Sequence, residues 1–262
     1  MLLAIDIGNT NIVAGVIEDG KILFSERIST DLSRTSLEYA ISFKNAIEFH
    51  GLNPDDVDGC IVASVVSPLI SLMEEAIPKI THVRPMIVRP GIKTGLKILM
   101  DNPGQVGADL IVAAVAGIAQ YPCPQILIDM GTATTITVID KDKNYSGGMI
   151  LPGLRVSLDS LTSRTSQLPR IGLDAPKHLI GKNTVDCMKS GVLYGTASSM
   201  DGMIERIQAE LGEKVTTIAT GGLAGSIVPL CRHKIILDDD LILKGLVLIY
   251  ERNQDQPVKA RQ

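Results

Sequence analysis

A short strand–turn–strand pattern near the N-terminus restricts the fold of this chain more than any other feature. The segment Asp6–Thr10 lies between two apolar runs, residues 2–5 and 12–17, so it is expected at the tip of a β-hairpin. Gly8 allows the backbone to come close to a bulky anion, and Asn9 offers donors for phosphate oxygens. The pattern predicts a turn that faces a phosphate group, with a carboxylate at the end of the preceding strand.

The same pattern returns halfway along the chain. Asp129 repeats Asp6, and Ile139 repeats Val16, at one offset of 123 residues. A single hairpin with Asp and Gly at its tip is common, but two copies with the same spacing indicate a duplicated domain. We therefore predict two similar lobes, each presenting a carboxylate and a glycine turn to a shared cleft.

Strands and helices are expected in both lobes. Apolar runs that are typical of buried strands alternate with predicted helices. One helix is expected to start at a capping box at Thr35, and a long one is expected over residues 185–211 and to end at Gly212. No linker rich in Pro, Gly or Ser divides the chain. The predicted domains are an N-terminal lobe over 1–120, a C-terminal lobe over 121–252 and a disordered polar tail over 253–262.

Charge and cysteine usage exclude several classes of function. The formal net charge of −4 gives no electrostatic reason to bind nucleic acid or an anionic membrane. The apolar stretch at the N-terminus is too short for a signal peptide or a membrane span. Four widely spaced cysteines are expected to be reduced core thiols of a cytoplasmic protein, and no zinc-ligand spacing occurs.

Asp109 stands at the start of a very apolar segment that predicts a helix to about Gln120. Its position has two interpretations. The structural interpretation is that the helix dipole favours an acid in the first helical turn. The functional interpretation is a general base held in a desolvated pocket. Position alone favours the structural interpretation.

Two carboxylates aimed at one phosphate site require cations. A carboxylate about 4 Å from a phosphate charge is repelled by about 4 kcal/mol at an effective dielectric constant near 20. Asp6 and Asp129 therefore imply Mg²⁺, bound through water, and a monovalent cation. Glycine turns, metal and triphosphate together are typical of phosphoryl transfer. The P-loop and protein-kinase motifs do not occur in the sequence.

A family resemblance rests on six motifs in order over about residues 1–250. They are Asp6–Thr10, Asn102–Asp109, Asp129–Thr135, Gly147–Gly153, Ile180–Thr184 and Thr220–Gly222. Together they resemble type III pantothenate kinase, a family of the actin-like ATPase superfamily. The resemblance implies an α/β fold with a duplicated ribonuclease-H-like, two-lobed architecture and mixed sheets flanked by helices. It also implies ATP-dependent phosphorylation of pantothenate, the first step of coenzyme A biosynthesis, by a homodimer that requires Mg²⁺ and K⁺ or NH₄⁺.

The resemblance also implies roles for individual residues. Asp109 would be the base that takes the proton of the pantothenate hydroxyl, and Asp129 would bind the monovalent cation. ATP would be bound by Asp6, Ile7, Gly8, Asn9, Thr10, Asn11, Ile12, Val13, Gly131, Thr132, Gly221 and Gly222. Pantothenate would be bound by Met100, Gly107, Ala108, Asp109, Leu110 and Thr184. For some of these residues plain structural roles stay open: the glycines as turn residues and Thr184 as a helix N-cap.

Two positions depart from the family pattern. Leu110 stands where the family usually has Arg, and Met100 stands where it often has Tyr. A charge-assisted contact contributes about 1.5–3 kcal/mol, so its loss would weaken the step it serves by roughly 10- to 150-fold. Both changes fall on the pantothenate side, which predicts intact ATP binding with altered pantothenate handling. The alternatives are a catalytically weak paralogue that regulates a partner and a kinase for a related small hydroxy acid.

Overall fold

The structure is a computed structural model that describes residues 1–254. The chain forms two compact units, each with its own sheet. The first comprises Met1–Leu96, Asp101–Ala116 and the described residues from Leu241 onward, and the second comprises Lys97–Met100 and Gly117–Asp240. Within residues 1–254, no helix has the length and apolar character needed to cross a membrane.

The first unit is built on a five-stranded sheet in the order β3-β2-β1-β4-β5. Its strands are β1 (Leu2–Ile7), β2 (Asn11–Glu18), β3 (Lys21–Ser29), β4 (Gly59–Ser64) and β5 (Met86–Ile87). The first three strands are antiparallel neighbours, and β4 and β5 continue parallel to β1. The helices of this unit are α1 (Ser36–Phe49), α2 (Ser67–Ala76), α3 (Pro78–Thr81), α4 (Ala108–Gln120) as far as Ala116, and α8 (Leu241–Gln254).

Helices cover both faces of this first sheet. One core joins strand residues such as Ile5 and Val62 with α1 and α2, and a second core joins Ala4 and Ile61 with α4 and α8. The predicted capping box at the start of α1 is confirmed, because the Thr35 side chain accepts from the N–H of Glu38 while Glu38 accepts from the Thr35 N–H at 2.7 Å. Burial on both faces explains why β1 and β4 are apolar without alternation.

The second unit repeats the same strand order with one addition. Its sheet runs β11-β10-β7-β8-β9-β6, and β9-β8-β7-β10-β11 matches β3-β2-β1-β4-β5 strand for strand, including the strand directions. Its strands are β6 (Lys97–Ile98), β7 (Gln125–Met130), β8 (Ala133–Ile139), β9 (Asn144–Pro152), β10 (Thr216–Thr220) and β11 (Ile236–Leu237). Its helices are α5 (Leu154–Arg164), α6 (Thr184–Leu211) and α7 (Ala224–Ile227), besides the end of α4. The predicted duplicated α/β fold is therefore confirmed; the edge strand β6 was not predicted.

The offset that relates the two halves is not constant. Leu3 pairs with Val16 in the first hairpin, and its equivalent Ile126 pairs with Val138 in the second. The predicted equivalence of Val16 with Ile139 is therefore wrong, because the second turn is one residue shorter.

The last helix belongs to the first unit, which differs from the predicted lobes of 1–120 and 121–252. Leu243 and Leu246 of α8 share a core with Ala4 of β1. Gly15 allows this approach, since a Cβ there would lie only 2.7 Å from a methyl carbon of Leu243. The predicted tail over 253–262 begins inside α8, which ends at Gln254, and residues 255–262 lie outside the described residues.

Candidate active site

The first glycine turn connects β1 to β2 and is held by the end of β3. The N–H of Gly8 donates to the carbonyl of Asn11 at 3.0 Å, and a Cβ on Gly8 would lie 3.1 Å from that carbonyl oxygen. The Thr30 hydroxyl donates to the Gly8 carbonyl at 2.7 Å, and the Thr30 N–H donates to the Thr10 carbonyl at 3.0 Å. Asp6 is half-buried beside this turn, whose tip residues are exposed. The turn is thus a braced loop that presents polar groups to solvent; sequence reasoning missed Thr30.

Not every residue of the predicted ATP segment presents a side chain. Ile7 and Ile12 are fully buried in the core of the first unit, and Val13 is half-buried. The side chains of Ile7 and Ile12 pack inside the protein, so only the main-chain groups of these two residues remain for a ligand. The Ile7 carbonyl already accepts from the N–H of Val65 at 3.1 Å.

Asp109 lies in the first turn of α4 with a carboxylate that is largely removed from water. The helix begins when the Ile111 N–H donates to the Gly107 carbonyl at 3.1 Å. Burial raises the pKa of Asp109 above its ordinary value of 3.8, against the opposing effect of backbone N–H groups. One of these is the N–H of Leu110, which donates to Oδ1 at 2.8 Å. A carboxylate with a raised pKa is a better proton acceptor than an exposed one, as a general base requires.

Gly107 makes room for this carboxylate. A Cβ at position 107 would overlap Oδ1 of Asp109 and would lie 3.7 Å from Cγ1 of Val65. Gly107 does not have the positive φ that would call for glycine on conformational grounds. Glycine is needed at position 107 because a side chain there would occupy the space of the Asp109 carboxylate. Val65 also donates its N–H to Ile7, so the start of α4 and the end of β1 meet at the same residue.

The second glycine turn connects β7 to β8 and lies next to Gly221. The N–H of Gly131 donates to the carbonyl of Ala133 at 3.0 Å. Gly221 has a φ of +94°, and a Cβ there would overlap Oδ1 of Asp129 and lie 2.7 Å from the N of Met130. The structure therefore brings Asp129, Gly131 and Gly221 together at the carboxyl end of β7.

The surroundings of this turn include further predicted residues. Thr132 is exposed, and its carbonyl accepts from the N–H of Gly153 at 3.1 Å. A Cβ on Gly153 would overlap that carbonyl oxygen, so Gly153 supports the turn and was missing from the predicted site. Gly222 follows Gly221, and the next residue, Leu223, donates its N–H to the Met130 carbonyl at 3.3 Å.

The predicted pantothenate residues are distributed over both units. Gly107, Ala108 and Leu110 are half-buried at the start of α4 in the first unit. Met100 belongs to the second unit, where its Sδ lies 3.9 Å from the place of a Cβ on Gly147. Thr184 is the exposed first residue of α6; the N-cap is Asn183, whose side chain accepts from the Asp186 N–H at 2.9 Å. The interpretation of Thr184 as an N-cap is therefore wrong.

Thr184 also lines a cavity of about 630 Å³ within the second unit. Its walls are mostly apolar and come mainly from β9, α5 and α6, with Thr134 of β8. The lining includes Leu151, Leu161, Cys187, Met188 and Val192. Cys187 is exposed, so the prediction that the cysteines are core residues holds fully only for buried Cys60. Over residues 1–254, His, Cys, Asp and Glu form no group of three or more that could hold a metal ion.

The repeated sheets and their carboxylate–glycine turns define a protein with a duplicated, actin-like α/β fold. Solved structures with the same fold include an activator of 2-hydroxyisocaproyl-CoA dehydratase from Clostridium difficile with bound ADPNP, at 14% identity and a TM-score of 0.53 over 95% of this chain and 92% of that one. A putative Baf family transcriptional activator from Campylobacter jejuni has 18% identity and a TM-score of 0.57 over 97% and 100%. At these identities the likeness shows the fold alone.

The sequence comparisons define the family. Residues 2–206 match the family model of type III pantothenate kinase. Type III pantothenate kinases from Bacillus cytotoxicus and Halalkalibacterium halodurans are each 45% identical over 253 residues, which is 97% of this chain and 97% and 100% of the relatives. The chain belongs to the type III pantothenate kinase family.

Proposed function

We propose that this protein transfers the terminal phosphoryl group of ATP to the hydroxyl of pantothenate, giving 4′-phosphopantothenate in the first step of coenzyme A biosynthesis. Family membership over nearly the whole chain supports the reaction. The structural observation that carries the proposal is Asp109, a carboxylate that Gly107 admits to a desolvated position with a raised pKa. The proposal places the protein in the cytoplasm with two small-molecule substrates.

Asp109 acts as the general base in this proposal. Its carboxylate accepts the proton of the pantothenate hydroxyl as the oxygen attacks the terminal phosphorus of ATP. The proton moves to a carboxylate oxygen, and the bond between that phosphorus and the bridging oxygen of ADP breaks. The Leu110 N–H fixes Oδ1, so the other carboxylate oxygen is the one available to the substrate. Little other covalent chemistry is required of the protein, because phosphoryl transfer depends mainly on positioning and charge neutralisation.

Each glycine turn is proposed to bind phosphate groups of ATP or the cations that accompany them. The exposed tip around Asn9 offers amide and hydroxyl donors, and Gly8 and Gly131 remove side chains that would obstruct the anion. Asp6 would hold Mg²⁺ through water and Asp129 would hold K⁺ or NH₄⁺. Carboxylate oxygens are suitable donors for such hard cations. Bound cations supply neutralisation of the phosphate charge.

We also propose a homodimer, supported by exposed apolar side chains of the second unit. Five of them lie on β9, on α5 and before or at the start of α6: Ile150, Leu161, Leu179, Ile180 and Val185. These five side chains all lie within residues 150–185, and exposed apolar side chains that adjoin one another are typical of an interaction surface. Ile180→Asp should therefore lower the mass measured by analytical ultracentrifugation, whereas Leu32→Asp, at an exposed apolar residue of the first unit, should not. A wild-type chain that stays monomeric at every concentration would contradict the proposal.

An assay of ADP release, with and without pantothenate and K⁺, tests the reaction. Release should require pantothenate. Asp109→Asn keeps the size of the side chain and removes the base, so turnover should be lost while ATP affinity, measured by calorimetry, stays within about twofold of wild type. ATP turnover that survives Asp109→Asn would refute the base assignment. ATP binding with no phosphate transfer in the wild type would favour the weak paralogue instead.

Leu110 bears on the Michaelis constant for pantothenate. Its backbone supports Asp109, but its side chain offers no charge to the carboxylate of the substrate. We therefore expect a Michaelis constant above that of family members with Arg at this position, and Leu110→Arg should lower it. The constant for ATP should not change. A Michaelis constant for pantothenate that Leu110→Arg leaves unaltered would refute this explanation.

A further inference from the structure

The hydroxyl of Thr135 on β8 is an unusual group in the second unit. Its Oγ1 is sealed from solvent and has no hydrogen-bond partner among the residues that the structure describes. Most buried side-chain polar atoms in proteins have such a partner, so an unpaired one calls for an explanation such as an ion or a water molecule. Thr135 was not among the predicted site residues.

The strand register places Thr135 beside Asp129. The two residues are direct partners in the antiparallel pair β7–β8. Residues opposite each other in such a pair point to the same face, with Cβ atoms about 4.5–5.5 Å apart. On the other side of β7, Thr220 of β10 is the partner of Asp129 in the parallel register. The carboxylate therefore has a threonine on each neighbouring strand.

Gly221 leaves the room that this carboxylate occupies, and Gly131 lies beside it. A Cβ on Gly221 would overlap Oδ1 of Asp129, and a Cβ on Gly131 would lie 3.8 Å from the same oxygen. Oδ1 thus lies at the carboxyl end of the strands, where side chains are missing from both neighbouring turns. One carboxylate and neutral hydroxyl oxygens form a donor set with a single negative charge, which suits a cation of single positive charge.

We propose that the Thr135 hydroxyl is a ligand, together with the Asp129 carboxylate, of the monovalent cation of this enzyme. This inference rests on the cation site of the proposed function and extends it to a residue on the next strand. The cation satisfies the buried Oγ1 that the protein atoms leave unpaired. A valine at this position has the same shape and lacks the oxygen, so it separates coordination from packing.

The test measures K⁺ binding by the full-length protein without relying on catalysis. The thermal unfolding midpoint is followed as KCl replaces choline chloride at constant ionic strength, with a non-hydrolysable ATP analogue present and pantothenate absent. A cation that binds the folded state raises the midpoint in proportion to its affinity. We expect Thr135→Val to weaken the apparent K⁺ affinity by about 10-fold, the lower end for changes around a metal site. Thr135→Ser keeps the hydroxyl and should therefore retain the wild-type affinity for K⁺.

Thr134→Val is the matched control. Thr134 precedes Thr135 on the same strand, is buried, and also has an unpaired Oγ1 among the described residues. Its side chain points to the opposite face of the sheet because successive residues alternate along a strand. The control should keep wild-type K⁺ affinity although it loses an equally buried hydroxyl.

Three results would overturn the proposal: unchanged K⁺ affinity in Thr135→Val, an equal loss in Thr134→Val, or no effect of K⁺ on the wild-type midpoint. Failure of the proposed function would be visible separately, as a wild-type protein that does not phosphorylate pantothenate in KCl. The midpoint measurement stays interpretable in that case, because it needs neither pantothenate nor turnover.

Discussion

Replacing Gly107 by alanine tests whether the position of the Asp109 carboxylate sets the rate. The added Cβ would overlap Oδ1, and restoring ordinary van der Waals separation requires the carboxylate to move by about 1 Å. The carboxylate is the flexible end of a side chain, so the movement costs little stability. It does break the contact with the Leu110 N–H at 2.8 Å and misplaces the base. A misplacement of about 1 Å lowers a catalysed rate by about 100-fold.

Steady-state kinetics with coupled detection of ADP measures this effect. We expect kcat to fall by about 100-fold in Gly107→Ala, with ATP affinity and the thermal midpoint close to wild type. Gly104→Ala is the matched control, since it adds the same methyl group in the same loop where a Cβ meets nothing within 4 Å. Its kcat should be unchanged. A Gly107→Ala enzyme with the kcat of the control would show that the carboxylate position does not limit the rate.

Three further predictions concern Gly221, Asp109 and Gln125. Gly221→Ala should lower the free energy of unfolding by roughly 3 kcal/mol, because the positive φ alone costs about 1–2 kcal/mol and the methyl group also meets the backbone of Met130. Gly212 also has a positive φ, but the space around it is open, so Gly212→Ala should cost only the roughly 1–2 kcal/mol of the backbone conformation. The pKa of Asp109 is raised in the folded state, so its ionisation destabilises the fold as pH rises from 3.8 through the raised pKa. Asp109→Asn should therefore unfold at a higher denaturant concentration than wild type at neutral pH. The kcat/KM of the wild type should fall as pH drops through the raised pKa. Buried Gln125 donates to two carbonyls near the end of α4, so Gln125→Glu should destabilise by about 3 kcal/mol or more and Gln125→Met by about 1 kcal/mol. Each explanation would be refuted by equal stability of the proteins it compares. These are the two alanine variants, Asp109→Asn and wild type, and the two Gln125 variants.

Local signals in the sequence predicted the elements well. The capping box at Thr35 and the glycine that ends α6 at Gly212 each have a local physical cause, and both appear in the structure as predicted. The duplication was also visible, because both copies of the turn have a glycine and a carboxylate at the same spacing. These features depend on residues within a few positions of one another, which a single sequence displays.

Features that depend on distant contacts were not predictable. The assignment of α8 to the first unit follows from its packing on the first sheet. Gly15 of β2 and Gly59 of β4 are contact positions for this helix, and no local pattern marks them as such. The two-residue strand β6 is too short to leave a periodic signal. The importance of Val65 and Thr30 arises only once the strands are aligned, because each contacts a turn that lies far away in the sequence.

The unequal lengths of the two turns indicate a division of labour between them. The longer first turn closes between Gly8 and Asn11, which leaves polar side chains on a protruding tip, as phosphate oxygens require donors. The shorter second turn closes between Gly131 and Ala133 and lies beside the carboxylate of Asp129, for which Gly221 leaves room. Donors at one turn suit an anion and oxygens at the other suit a cation. The first copy of the hairpin thus offers hydrogen-bond donors, and the second copy, which is one residue shorter, offers a carboxylate.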